Sequence, residues 1–273
     1  FKDEEAKGDK ALRTWASQHL NVEIGLALQS NGWAGAEFWQ QQADASITLD
    51  TLIARSDVVT VGIDGGGNDD LYGFTALGRE AGTGHLLSWS CAWALPIVLE
   101  RRKDIASRLR DFQDRGELHI VPKIEDACAE VVAMIQRIDN AAKLGALDEG
   151  KKKAIGVDAA CIKQTLDALN AADYADDQIV AVPQNWRLGS AIKSTELYLS
   201  SGALSHADQT LLDWCVGNAK VEPKGNAVLI TKQASGSAKI DPLMSLFNAV
   251  DLMGRNPAGA GMSWWDTKET VAA

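Results

Sequence analysis

The sequence predicts an α/β fold, a mixed sheet flanked by helices and entered through a helical segment, and three observations carry that expectation. The apolar runs VVTVGID and AIGVD each end on an aspartate, as buried strands with a polar tip do. Three strand-like runs between Val58 and Ala94 succeed one another across short turns, the pattern of an antiparallel meander. Beyond Pro96, helical and strand-like stretches alternate, which suits a sheet covered by helices on both faces.

A chain of 273 residues with 46% hydrophobic content has enough apolar material for a full core. No uninterrupted run of about 18 apolar residues occurs, and the charged opening FKDEEAKGDK is unlike a signal peptide, so the expectation is a cytosolic protein with no membrane contact. Cys91, Cys128, Cys161 and Cys215 lie far apart without a C-x-x-C pair and read as reduced core residues rather than zinc ligands. The 27 basic and 37 acidic residues give a net charge of −10, which excludes a protein that coats nucleic acid through bulk positive charge. Any contact with a polyanion must be local, with metal ions offsetting the repulsion.

Taken in order, residues 1–56 read as helical, from KALRTWASQHLNVEIG through AEFWQQQ to LDTLIAR capped at Thr48. VVTVGID is a strand, followed by a sharp turn in GGGNDD; LYGFTALGRE and GHLLSWSCAWA are its successors across the turn EAGTG. IVLERRKDIASRLRDFQDRG has helical periodicity and leads into the short strand ELHIVP. A second helix, from about Glu125 to Leu144, precedes the strand AIGV. The helix CIKQTLDALNAA, the strand QIVAVP and the helix SAIKSTELYLSSG follow. AKVEPKGNAVLITK reads as a hairpin turning at Pro223–Asn226, and KIDPLMSLFNAVDLM as an amphipathic helix opening on an aspartate. The Gly- and Ala-rich end, from Gly254, is expected to be loosely held.

Asp64 and Asp158 stand at strand ends, where the ligands of open sheets gather, and Asp241 opens a helix. If the strands are neighbours and the helix crosses them, the three carboxylates meet at one edge. Such a cluster is tolerable with divalent cations between the charges, and Mg²⁺ prefers an oxygen shell completed by water or phosphate. Two ions about 4 Å apart activate water and stabilise a leaving oxygen. Each aspartate also has a structural reading: Asp64, Asp69 and Asp70 as turn residues, Asp158 as a helix N-cap, and Asp241 as an N-cap followed by Pro242. Spacing alone does not decide between them.

The stretch VGIDGGGNDDLYGFTAL resembles the opening motif of the nuclease half of phage large terminase subunits: an apolar strand, an aspartate, a small-residue turn and a second aspartate, here Asp64 and Asp70. The segment from Leu197 to Met253 is similar to that family's C-terminal block, through Gly202-x-Leu204-x-His206, Trp214, Asn218, Lys232 and Lys239-Ile240-Asp241-Pro242. AIGVDAACI contributes Asp158 but is weaker as a motif. The resemblance spans Val58 to Met253 and implies a ribonuclease H-like fold and an endonuclease that cuts concatemeric viral DNA during packaging. It implies Asp64, Asp158 and Asp241 as ligands of Mg²⁺ or Mn²⁺, in two ions, with Asp70, Lys239 and His206 as auxiliary candidates. It also implies double-stranded DNA, a terminase small subunit, a portal protein and the ATPase domain of the full-length subunit as partners, in the cytoplasm of the infected or lysogenic host. The division expected is a helical connector over 1–56, a nuclease domain over 57–254 and a tail over 255–273. The competing class is a non-enzymatic packaging-motor docking module with a vestigial acidic cluster; a resolvase or transposase of the same fold fits the C-terminal block less well.

Two motifs are decoys. GALDEGKK resembles a phosphate-binding loop but has Lys152 where Ser or Thr belongs, and it lies between a helix and a strand in the wrong order, so it reads as a solvated loop. GIDGGGNDDLYG is followed by a strand rather than the helix a dinucleotide loop requires. His206 is also readable as a structural hydrogen-bonding residue, and Lys239 as solvated or capping. The clusters Arg101–Lys103 and Lys151–Lys153 read as solvated faces.

Overall fold

The computed structural model describes residues 32–159, 163–224, 227–232 and 238–259. The expected helix at Lys10–Gly25, Cys161, the Gly225–Asn226 turn and the chain beyond Gly259 lie outside the described residues.

Helix α1 (Ala36–Trp39), a 3-10 turn (Gln40–Gln42) and helix α2 (Leu49–Arg55) open the described chain. Thr48 caps α2 reciprocally with Thr51: the Thr48 hydroxyl accepts from the Thr51 amide at 3.2 Å and the Thr51 hydroxyl from the Thr48 amide at 2.8 Å. Trp33 and Trp39 are buried, and Trp33 meets Phe247 edge-on at 5.2 Å, so this segment is built into the core.

Strands β1 (Ser56–Gly67), β2 (Asp70–Glu80) and β3 (Leu86–Ala94) form the antiparallel meander. After helices α3 (Pro96–Arg101) and α4 (Ala106–Asp114), β4 (Leu118–Ile120) joins β3 in parallel. Helix α5 (Ile124–Asn140) precedes a small hairpin, β5 (Ala146–Leu147) and β6 (Lys152–Lys153), then β7 (Ile155–Asp158). Helix α6 (Lys163–Ala171), β8 (Val180–Val182), helix α7 (Gly189–Ser201), β9 (Leu204–His206) and helix α8 (Thr210–Asn218) continue. The hairpin β10 (Ala219–Lys224) and β11 (Ala227–Lys232) leads to helix α9 (Asp241–Met253).

The central sheet has the order β4-β3-β2-β1-β7-β8, with β9 beside β3 at the edge that β4 also uses. β7 and β8 run parallel to β1, giving the mixed sheet the sequence predicts. One face packs on α5 through Ala127, Cys128, Val131, Ile135 and Ile138, at helical spacing. α9 covers the other face and is buried almost all round, with only Asp251 partly accessible, which fits a central helix between the sheet and outer helices.

The path adds β9 and α8 to the expected elements and differs from the expected one elsewhere as well. β1 does not stop at Asp64 but pairs with β2 as far as Gly67, and the turn is Asn68–Asp69, because the glycines let the hairpin ladder continue. The periodic stretch after Pro96 is two helices, since Arg102 leaves helical geometry (φ −115°, ψ 61°) and pairs with Asp69. The helix from Ile124 ends at Asn140, two residues before Ala142 takes a positive φ of 55°. GALDEGKK forms the β5-β6 hairpin with exposed Asp148–Lys151 at its tip, and Ala258 pairs with Ala146, so the chain just after Gly254 is held against it.

Cys91, Cys128 and Cys215 are buried free thiols. Burial pushes the Cys91 thiol up to about 12, and Cys215 is raised by burial and then by the charges of Asp241 and Asp213. Among the described residues no helix is long and apolar enough to cross a membrane.

Candidate active site

Register brings Asp64 and Asp158 side by side. Ile63 pairs with Val157 in the parallel β1-β7 ladder, so the next residue on each strand, Asp64 and Asp158, stands level where that ladder ends. Side chains alternate along a strand, and a Cβ at Gly62 would meet Ser245 O at 1.9 Å while one at Gly156 would meet the Leu252 side chain at 3.0 Å. Gly62 and Gly156 therefore face α9, and Asp64 and Asp158, two residues on, share that face.

Asp241 enters from α9 itself. A Cβ at Gly73, the β2 partner of Asp64, would lie 2.8 Å from the Asp241 carbonyl oxygen, and one at Gly65 2.9 Å from Asp241 Oδ1. Gly73 is required because α9 begins directly on the sheet there; Gly65 is required twice over, since its φ is +83°. Pro242 helps start the helix, but Asp241 is its first residue, not its N-cap: Ile240 holds that position and no side chain caps it. The positive end of the α9 dipole thus faces the edge where Asp64 and Asp158 stand, an end that attracts negative charge.

Side chains fasten α9 to the sheet behind this edge. Asn248 Nδ2 donates to the carbonyl of Ile63 at 3.0 Å, Thr60 Oγ1 donates to Ala249 O at 2.9 Å, and Thr75 and Ser245 hydroxyls bond at 2.8 Å. These buried bonds fix the depth at which the helix carries Asp241. Asp64 and Asp241 are 7% and 6% exposed, and Asp158 is half-buried, so all three stand at the rim of a largely dry edge.

Around the trio lie groups that the sequence left open. Lys239, only 1% exposed, donates to the Asp69 carbonyl and to Asp70 Oδ1, and so binds the β1-β2 turn to the chain entering α9. Asn218 Nδ2 donates to the Lys239 carbonyl at 3.0 Å. The Arg102 guanidinium grips Asp69, holding that carboxyl below the ordinary range, chiefly by its hydrogen bond. His206 is buried, stacked on Trp39 at 3.8 Å, with ring nitrogens 2.8 Å from Trp39 O and 2.9 Å from Ala207 O. It is the last residue of β9 and packs its ring against the α1 segment. The basic clusters divide: Arg102 and Lys153 pair with Asp69 and Asp139, whereas Arg101, Lys103 and Lys151 are exposed.

Sequence reasoning missed Gln184, whose Nε2 donates to Asp64 Oδ1. It stands two residues beyond β8, and the only available signal was a polar side chain just past a strand end, on the same edge as Asp158. Among the described residues no group of three or more His, Cys, Asp or Glu side chains is placed so that it could hold a metal ion. Carboxylate oxygens are the donor type that a hard divalent cation takes, and such an ion keeps several waters in its shell.

A mixed sheet of order 3-2-1 followed by parallel strands and flanked by helices is a ribonuclease H-like fold. The profile of the terminase large subunit, endonuclease domain, matches residues 18–255, and the chain belongs to that family. The HK97 bacteriophage large terminase is similar at 20% identity with a TM-score of 0.56, over 75% of this chain and 42% of that one. This chain therefore spans less than half of the HK97 subunit it matches. The large terminase nuclease from thermophilic phage G20c aligns at 12% identity with a TM-score of 0.44, over 71% of this chain and 81% of that one. The same nuclease with bound magnesium aligns at 13% identity with a TM-score of 0.45, over 71% and 80%. No curated protein matches the chain.

Proposed function

We propose that this chain is a metal-dependent DNA endonuclease that cuts concatemeric viral DNA during genome packaging, with Asp64, Asp158 and Asp241 as its metal ligands. One observation carries the proposal: Asp64 and Asp158 are level on neighbouring parallel strands, on the face where α9 presents Asp241 against Gly65 and Gly73. Two Mg²⁺ or Mn²⁺ ions held there would supply an activated water and neutralise charge on the phosphodiester as it is cut.

The chain's own residues do the positioning. Asp64 and Asp158 are fixed by the ladder, Asp241 by the close seat of α9, and the Asp64 carboxylate is oriented by Gln184, a neutral donor that leaves its charge available. Lys239 and Arg102 hold the β1-β2 turn beside them through Asp70 and Asp69. Asp70, Lys239 and His206 are supporting rather than ligating groups in this proposal. With a net charge of −10 the chain has little long-range attraction for DNA, so the small subunit, the portal and the ATPase domain of a full-length subunit would deliver the substrate.

Plasmid digestion with Mg²⁺, Mn²⁺ and chelator, alongside calorimetric Mn²⁺ titration, tests this. Cleavage that needs the metal, with specific Mn²⁺ binding lost in Asp158→Asn, is expected. A folded chain that shows no specific Mn²⁺ site would instead favour a docking module with a vestigial cluster.

A further inference from the structure

Trp186 is 61% exposed and, with Leu197, is one of two exposed large hydrophobic side chains among the described residues. It occupies the 3-10 turn Trp186–Leu188, directly beyond β8. That position is close to the carboxylate edge. Val182, at the end of β8, pairs with Asp158, and Gln184 is bonded to Asp64. Trp186 lies two residues beyond Gln184, no more than about 7 Å of chain away.

The turn is held firmly while its tip is exposed. Asn185 Oδ1 accepts from the Arg187 amide at 3.0 Å, and Leu188 is buried at 2% exposure, which anchors the far end. Arg187 is exposed, with its guanidinium carbon 5.4 Å from the Trp186 ring centroid, and among the described residues it makes no ion pair. An aromatic face and a guanidinium side by side on an exposed turn are the two groups that grip a nucleic-acid backbone: one packs on sugar or base, the other neutralises phosphate. In a chain whose net charge opposes DNA, local contacts of this kind carry an outsized share of the affinity.

We propose that the turn Gln184–Arg187 is a DNA-gripping element, in which Trp186 packs against the deoxyribose face of a duplex beside the carboxylate edge and Arg187 pairs with a neighbouring phosphate. The proposal rests on the nuclease function above. Gln184 then links the grip to the chemistry, since the turn that presents Trp186 also carries the side-chain amide that donates to Asp64.

The test measures fluorescence anisotropy of a labelled duplex with the full chain over a range of salt, in Ca²⁺ so that binding is read without relying on cleavage. Trp186→Ala should weaken binding on the order of tenfold, while Trp186→Phe, which keeps an aromatic face, stays within about threefold of the parent. Arg187→Ala should reduce the slope of log affinity against log salt by about one, the signature of one lost phosphate contact. Melting temperatures should not change, because both side chains are exposed. Parent-like binding and salt slope in folded Trp186→Ala and Arg187→Ala would overturn the inference alone. A parent chain that binds no duplex at any salt tested would also overturn this inference, whereas the nuclease function is judged separately by metal-dependent plasmid cleavage.

Discussion

Lys239 Nζ lies 2.9 Å from Asp70 Oδ1 while the lysine side chain is only 1% exposed. The contact ties the hairpin that continues from Asp64 to the strand of chain that enters the helix at Asp241. Removing one partner of such a pair leaves the other poorly compensated, although Asp70 keeps 39% of its side-chain surface and some hydration. Lys239→Met is expected to cost about 1–3 kcal/mol of stability, read as a lower urea midpoint with an unchanged slope.

The neighbouring pair behaves differently. Arg102 and Asp69 are partly solvated, and the arginine lowers the aspartate's pKa. A carboxyl lowered in the folded state stabilises the protein fully above its unfolded value, about 3.9, and that contribution is lost as pH falls through the lower folded value. Arg102→Ala should therefore shift acid unfolding toward higher pH while changing neutral-pH stability much less than Lys239→Met. Circular dichroism followed from pH 6 downward reads both.

Close approach of the final helix to the sheet makes a sharper prediction. A Cβ at Gly62 would sit 1.9 Å from the backbone oxygen of Ser245, whereas one at Gly67 would meet nothing within 4 Å. Gly62→Ala should push the helix outward and cost about 3 kcal/mol or more, with loss of DNA cleavage; Gly67→Ala should stay within about 0.5 kcal/mol. Paired thermal melts and plasmid assays separate the two.

Much of this was legible in the chain because it is local. The apolar runs before Asp64 and Asp158 marked two strands, with the second ending at its aspartate, and Ile240-Asp241-Pro242 marked a helix start. What stayed hidden depends on distant partners. The break at Arg102 arises from Asp69, 33 residues earlier, and β1 runs past Asp64 because β2 continues to pair with it. Lys239 reads as a solvated or capping residue until the fold buries it against the Asp69–Asp70 turn. Gln184 carries no motif at all; only the β7-β8 register brings it to Asp64.

That amide yields a further expectation. A donor that orients a ligating carboxylate typically changes metal affinity by about 10–100-fold when removed. Gln184→Ala should weaken Mn²⁺ binding, measured by calorimetry, by roughly tenfold with an unchanged melting temperature. Unaltered Mn²⁺ affinity in the folded variant would remove Gln184 from the site.

The most direct test of the metal-carboxylate account is plasmid nicking in Mn²⁺ by the parent chain and by Asp64→Ala at matched thermal stability. The account predicts that the parent converts supercoiled to relaxed and linear DNA and that the folded variant does not. Parent-like nicking by folded Asp64→Ala would contradict it.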